Sequence, residues 1–353
     1  MRLRLVCAAL AAATFAYVGP SAAGAATGDE LRAFLAFVPA TPAPPRRISV
    51  DYFDLRVAAA ITVKRGLEAL TPMGRRANIP YFGHMLGRAA AWKRTAGFML
   101  EEIGALGTAG FPPDTVHFFR LAPAVRLEAL TAVWRARGFR ETPSAAAPIW
   151  GRGEPRKMDV SKVDADDPFG GALGRSSFIL PALPFLAEAF APEPLIAAKQ
   201  AQAAGGLAAR PDVAALLAAL DRGGGSLLQA MLLPEPADSM TADHAPIAYS
   251  ALLFADVEYS DHAEAQLLLA FADCAAARAA ETAIAQGWDT QHPAIRVYRP
   301  TWAAHKGAPC VLTGRVTAPG TAGARQFANP AYRILVDAWV RRDLTSLVIR
   351  APR

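Results

Sequence analysis

Cysteine is scarce, with three in 353 residues, so no disulfide framework of the kind that staples small secreted domains can exist here. Long apolar runs are also missing beyond the N-terminus. Phe178 to Phe190 is apolar but carries Pro181, Pro184 and Glu188, and the stretch after Asp261 is interrupted by Asp273, Arg278 and Glu281. Neither offers the roughly 20 uncharged residues that a membrane-spanning helix needs. Charge of one sign is not in excess either: Lys and Arg total 37 against 31 Asp and Glu. The basic residues are scattered as pairs such as Arg46-Arg47, Arg75-Arg76 and Arg341-Arg342, without the stripe that nucleic-acid binding requires. Nucleic acid is therefore not an expected partner.

Catalytic signatures are equally sparse. Gly174-Arg175-Ser176-Ser177-Phe178 lacks the second glycine of a nucleophile elbow, and no Ser-x-x-Lys occurs. Gly170-Gly171-Ala172-Leu173-Gly174 lacks the Gly-Lys-Ser/Thr end of a phosphate-binding loop and is read as a flexible turn. The six histidines, His84, His117, His244, His262, His292 and His305, share no His-x-x-x-His or Glu-x-x-His spacing. A zinc site would have to be assembled by tertiary structure alone.

What is present begins at the N-terminus. Arg2 and Arg4 precede an apolar run from Leu5 to about Val18, followed by the small residues Ser21 to Ala26. A charged start, a short apolar middle and an Ala-x-Ala end form an export signal. Cleavage is expected near Ala25 or Ala26, giving 1–26 as signal peptide and a mature, soluble chain destined for the periplasm or for secretion. Cys7 leaves with the signal, and its position inside the apolar run excludes a lipid-modified cysteine. Loss of Arg2 and Arg4 lowers the formal net charge from +6 to +4.

The full sequence is 53% hydrophobic and 19% charged, which marks a globular protein. Residues 27–46 read as a short helix, Asp29 to Phe37, and a proline-rich lead-in. Residues 47–150 read as a first α+β module: a strand over Ile48 to Leu55, helices over Ala58 to Leu70 and Leu86 to Leu106, then a strand–helix–strand unit from Val116 to Trp150. Residues 151–175 read as a polar linker or long loop.

Residues 176–353 read as a second α+β module. It opens with a strand at Ser177 to Leu180 and a broken helix over Leu183 to Ala203. The helix opened by Pro211 has Val213, Leu216, Leu217 and Leu220 on one face and stops at Gly223. Strands are expected at Leu227 to Leu233 and Tyr249 to Tyr259, then a long helix from His262 to Gln286 with capping-box spacing between Asp261 and Glu264. Further strands follow at Ile295 to Tyr298, Val311 to Thr317, Tyr332 to Val340 and Ser346 to Ile349. The expected class is α+β: two modules with mixed or antiparallel sheets covered by helices, a ferredoxin-like order being one form of it.

Three constellations could carry chemistry. Period-two alternation places Asp256 and Glu258 on one strand face, with side chains roughly 7 Å apart, and Asp261-His262 follows at the strand end. Two carboxylates and an imidazole could hold a divalent metal or act as acid and base, with His292 or His305 joining from the next loop. The plainer reading leaves the carboxylates at a solvated strand end and Asp261 as a helix cap. Asp164, Asp166 and Asp167 suggest a calcium loop but lack the third alternating ligand, the glycine at the sixth position and the terminal glutamate. A solvated acidic turn fits better. Cys274 and Cys310 each lie on an apolar face, one on a helix and one on a strand, and can form a helix-to-sheet disulfide or remain buried thiols.

The expectation is an exported soluble protein, non-enzymatic, acting in the periplasm or at the cell surface as a binding or accessory component for an unidentified ligand or envelope protein. No cofactor is predicted. Two other readings stand beside it: a metal-assisted exported hydrolase using Asp256, Glu258 and His262, with a divalent metal, and a structural subunit of an envelope complex, which would show an exposed apolar patch.

Overall fold

Most of the chain's apolar runs are extended, and they join one sheet. The computed structural model describes residues 27–41, 48–62, 67–74, 76–77, 79, 86–142, 144, 147–235, 249–288, 299–318 and 329–340. Residues 1–26, where a signal peptide is expected, His84, His244, His292 and the strands expected at Ile295 to Tyr298 and Ser346 to Ile349 lie outside the described residues.

In chain order the elements are α1 (Asp29–Leu35), β1 (Val50–Asp54), α2 (Leu55–Ala60), α3 (Leu67–Leu70), α4 (Trp92–Thr95), β2 (Ile103–Ala109), β3 (Val116–Leu121), α5 (Leu127–Ala136), β4 (Arg140–Thr142), β5 (Ile149–Arg152), β6 (Ser177–Ala182) and β7 (Phe185–Ala189). They continue with α6 (Pro192–Ala203), α7 (Pro211–Gly223), β8 (Ser226–Leu233), β9 (Ala251–Glu258), β10 (Ala263–Phe271), α8 (Cys274–Trp288), β11 (Thr301–His305), β12 (Cys310–Ala318) and α9 (Pro330–Val340). The class is α+β. Among the described residues, all 12 strands pair antiparallel in the order β11-β12-β10-β9-β8-β1-β2-β3-β7-β6-β5-β4.

The connectivity repeats. A three-strand meander, β1-β2-β3, is followed by α5 and by strands that return from the far edge to pair β7 with β3. A second meander, β8-β9-β10, is followed by α8 and by strands that return to pair β12 with β10. The halves meet where β1 pairs with β8, with Val50 opposite Leu232 and Phe53 opposite Gln229. This order differs from the β-α-β-β-α-β alternation of a ferredoxin-like module. The sheet also runs unbroken past the expected linker, because β6 and β7 pair back into the first half.

Helices cover both faces. On one face α1, α6 and α7 pack on Tyr52, Phe118, Leu253 and Leu268. The ring of Phe34 lies against Gly107, where an added Cβ would come within 2.5 Å of it, so only glycine admits that contact. The opposite face carries two apolar clusters, one around Phe53, Phe119 and Trp134, the other around Phe254, Leu269 and Trp288.

Four expected elements differ. Ile103 to Ala109 is a strand and not the end of a helix: its glycines and small residues suit a strand buried on both faces. Phe185 to Ala189 is a strand ahead of α6. Ala263 to Phe271 is a strand in which eight of nine residues are buried, so a run rich in helix formers is overridden by central-strand burial. Asp261 accordingly lies in the β9–β10 turn and Glu264 within β10, and they form no capping box. Tyr332 to Val340 is helical: its β-branched and aromatic residues suggest a strand, but Ala331, Tyr332, Leu335 and Val336 form one helical stripe buried on the sheet.

Candidate functional site

Strand alternation does put Asp256 and Glu258 on one face, and that face is interior. Asp256 is 0% exposed and Glu258 3%. Neither sits at a solvated strand end. Arg76, from the connection after α3, enters between the two apolar clusters and binds both carboxylates. Its Nε donates to Asp256 Oδ2 at 3.1 Å, and Nη2 donates to Asp256 Oδ1 at 2.8 Å and to Glu258 Oε1. Gln229 Nε2 donates to Asp256 Oδ2 at 2.9 Å, and Asn329 Nδ2 to Oδ1 at 2.8 Å.

The chemistry of that cluster follows from its neighbours. Burial opposes the Arg76 charge, yet the two carboxylates more than offset it and hold the guanidinium firmly protonated. Asp256 thus accepts from an arginine and two amides. Its lone pairs are directed at fixed donors, a state suited to holding the fold together.

The histidines expected beside it are elsewhere. His262 stacks on Tyr259 with ring centroids 4.4 Å apart and an interplanar angle of 4°, and its Nδ1 lies 2.7 Å from Asp261 Oδ1. Its neighbour Tyr259 reaches Gly223 and Glu264, which places the pair on the opposite sheet face. His305, opposite Val311 in β11, is on that opposite face too. Burial, Arg222 and Arg315 push its pKa down. Asp256 and Glu258 are therefore brought together with each other and with Arg76, but not with His262 or His305. Among the described residues no group of three or more His, Cys, Asp or Glu side chains could hold a metal ion.

Cys274 and Cys310 do meet, with sulfurs 2.10 Å apart and Cα atoms 5.1 Å apart. Cys310 is opposite Phe271 in the β10–β12 ladder, and Cys274 opens α8 three residues later. The bridge ties that helix to the sheet.

Past the end of β5, the segment expected to be a polar linker or long loop carries only short helical turns, and it walls a cavity. Residues 151–176 fold over the end of the first half and enclose an open cavity of about 680 Å³. Arg137, Arg152 and Arg175 form its inner wall, with Lys157 and Lys162 toward the rim. Each arginine is anchored from below by a buried acid. Arg137 Nη2 donates to Asp167 Oδ2 at 3.1 Å and to Asp164 Oδ2 at 2.7 Å, and Arg152 Nη2 also binds Asp167. Arg175 Nη2 donates to Glu188 at 2.9 Å and 3.1 Å, while Ser177 Oγ donates to the same carboxylate at 2.9 Å. Burial raises the Glu188 pKa, against the lowering pull of Arg175 and Ser177.

No family model matches the chain. No curated protein matches it either. Among solved structures, crystal form I of TP0453 aligns over 83% of this chain and 94% of that chain at 9% identity, with a TM-score of 0.35, a likeness too slight to transfer anything.

The acidic tract differs from both readings made of it. Asp167 is buried between Arg137 and Arg152, Asp166 pairs with Arg88 and Arg94, and Asp164 pairs with Arg137. These carboxylates neither form a calcium loop nor stand in solvent as a bare turn. The glycine-rich turn beside them has a steric reason: a Cβ on Gly171 would fall 2.3 Å from the Asp167 Cβ, and one on Gly170 2.4 Å from the Arg175 side chain. Sequence reasoning missed the cavity because its arginines come from 137, 152 and 175, with no shared spacing. The detectable signal was local: three acids and three glycines within residues 164–174 that no motif explained.

Proposed function

We propose that the chain is exported and acts in the periplasm or outside the cell as a non-enzymatic binding or accessory protein. The observation that carries this reading is the cavity under residues 151–176, whose polar wall is held in place by the buried carboxylates of Asp167 and Glu188. A wall fixed before a ligand arrives loses little freedom on binding, which is what a binding site requires. The hydrolase reading would require Arg76 to release Asp256 and Glu258, and His262 to cross the sheet. The repeated meander–helix–return connectivity supports reading the fold as two similar α+β modules fused edge to edge.

The test is a thermal-shift panel on the mature chain beginning at Thr27, using neutral sugars, amino acids, organic acids and phosphate compounds. One class should raise the melting temperature with saturation, since a ligand at 100 times its Kd stabilises by about 2.7 kcal/mol. A flat response to every class removes the binding reading. Export is tested by fusing residues 1–30 to a reporter active only outside the cytoplasm.

One observation favours the structural-subunit reading as the second. Val160 is 81% exposed, Val163 52% and Leu173 59%, three large apolar side chains on the same lobe that are not part of the cavity lining. The Asp159–Gly174 and Asp164–Gly171 backbone hydrogen bonds hold the strips carrying them side by side. An exposed apolar patch of this kind serves protein association. Under that reading, Val160→Ser with Leu173→Ser abolishes co-migration with an envelope complex while leaving the ligand response unchanged.

A further inference from the structure

We propose that the cavity under residues 151–176 binds a small organic anion through phosphate or carboxylate groups, held by Arg137, Arg152 and Arg175. This rests on reading the cavity as a binding site and specifies what it takes.

The placement of charge carries the inference. Asp167 and Glu188, which anchor the three guanidinium groups, are buried and are not part of the cavity wall, whereas all three arginines are. Asp167 and Glu188 therefore lie on the core side, while Glu154, Asp159 and Asp164 line the wall beside the basic side chains. Each arginine meets its acid through Nη2. The Nε of Arg137 is buried with no protein partner among the described residues. A guanidinium has five N–H donors in a fixed fork that matches carboxylate and phosphate oxygens. Three such forks fixed from behind form a wall of donors facing one space.

The surrounding groups fit the same ligand. Lys157 pairs locally with Glu154 and Lys162 with Asp159, in exposed i, i+3 contacts that are worth little and exchange readily for a stronger anion. Asp164 is the remaining acid on the wall and is already bound to Arg137. The cavity of about 680 Å³ is far larger than a single inorganic ion and falls within the size range of small-molecule sites. A solute with two or more anionic groups on a small carbon or phosphate skeleton would meet several forks at once.

The experiment is isothermal titration of the mature chain with inorganic phosphate, pyrophosphate, citrate and, as a neutral probe, sucrose. Pyrophosphate or citrate should bind one to one and more tightly than phosphate, with affinity falling as salt rises. Preference for pyrophosphate identifies phosphate as the recognised group, preference for citrate a carboxylate, and either supports the proposal. Arg152→Lys keeps the charge but loses the fork, and should weaken binding about tenfold. The exposed pair Lys157→Gln with Lys162→Gln should weaken it a few-fold at an unchanged melting temperature, so a folding defect in the arginine variant does not decide the outcome. No saturable anion binding up to about 10 mM, weaker than any useful affinity, overturns the proposal. Anion binding that both sets of variants leave unchanged also overturns it. Saturable binding of sucrose alone overturns the anion assignment and leaves the binding reading standing.

Discussion

At the scale of single residues, Arg76 is the side chain on which most depends. It neutralises two carboxylates that are otherwise enclosed by apolar clusters. Removing one partner of a buried ion pair costs about 3–5 kcal/mol, because the remaining charge has neither water nor a counter-ion. Arg76→Met should therefore lower the stability of the chain by that amount in urea unfolding, and adding Asp256→Asn and Glu258→Gln should restore much of it. A loss under about 1 kcal/mol, within the range of an ordinary surface change, would mean that the acids are available for other chemistry. His117, directly opposite Glu188 on β3 and β7, makes a second residue-scale prediction. Burial, with a smaller push from Arg175, lowers its pKa from 6.5 to about 3. In the unfolded chain the ring takes a proton near 6.5, while in the fold it stays neutral until about 3. Stability from this group is therefore full above pH 6.5 and is lost as pH falls toward 3. The raised Glu188 works in the opposite direction, favouring the fold as it protonates, so the comparison must isolate the histidine. His117→Gln should flatten the stability loss between pH 6 and 4, and a His117 ring that titrates near 6.5 by NMR would refute the assignment.

At the scale of elements, the disulfide fastens α8 to β12 and closes a loop with a sequence separation of 36. Loop closure of that length stabilises by roughly 4 kcal/mol in the chain-entropy model. Cys274→Ser with Cys310→Ser should thus lower the denaturation midpoint markedly, and two free thiols in the denatured, unreduced wild-type chain would show that no bridge forms. How much of this was legible varied with the kind of residue involved. Helix α7 could be read in full, since Pro211, the apolar spacing from Val213 to Leu220 and the terminal glycines all agree. Strand β10 could not, because Ala, Leu and Gln favour a helix locally and only pairing with β9 and β12 makes them a strand. The shared face of Asp256 and Glu258 followed from strand alternation, whereas their burial depended on Arg76, 180 residues away in sequence from Asp256. The glycines near 170 were visible, but their need to approach Asp167 and Arg175 was not, since close approach is a property of packing.

At the scale of the whole molecule, the 151–175 segment is not where the chain comes apart. Cutting there would separate β7 from β3 and β6 from β5, leaving unpaired edges on both fragments. The weaker seam in the connectivity lies between α6 and α7, since α6 covers β6 and β7 while α7 covers β9, β10 and β12. Even that cut has a specific cost. A fragment 210–353 keeps β8 to β12 with α7 on one face and α8 and α9 on the other, yet it buries Asp256 and Glu258 without Arg76. The fragment should therefore remain unfolded alone, by circular dichroism and urea titration, and fold when mixed with fragment 27–209. If the missing counter-charge is the reason, Asp256→Asn with Glu258→Gln should let 210–353 fold without its partner. A wild-type fragment that folds unaided would show that the second half completes its own core and that the ion pair only decorates the seam. A variant fragment that stays unfolded would place the dependence in the β1–β8 ladder itself, where Val50 to Phe53 supply the edge that β8 then lacks. The two variants thus separate charge from strand pairing as the force that joins residues 210–353 to the rest of the sheet.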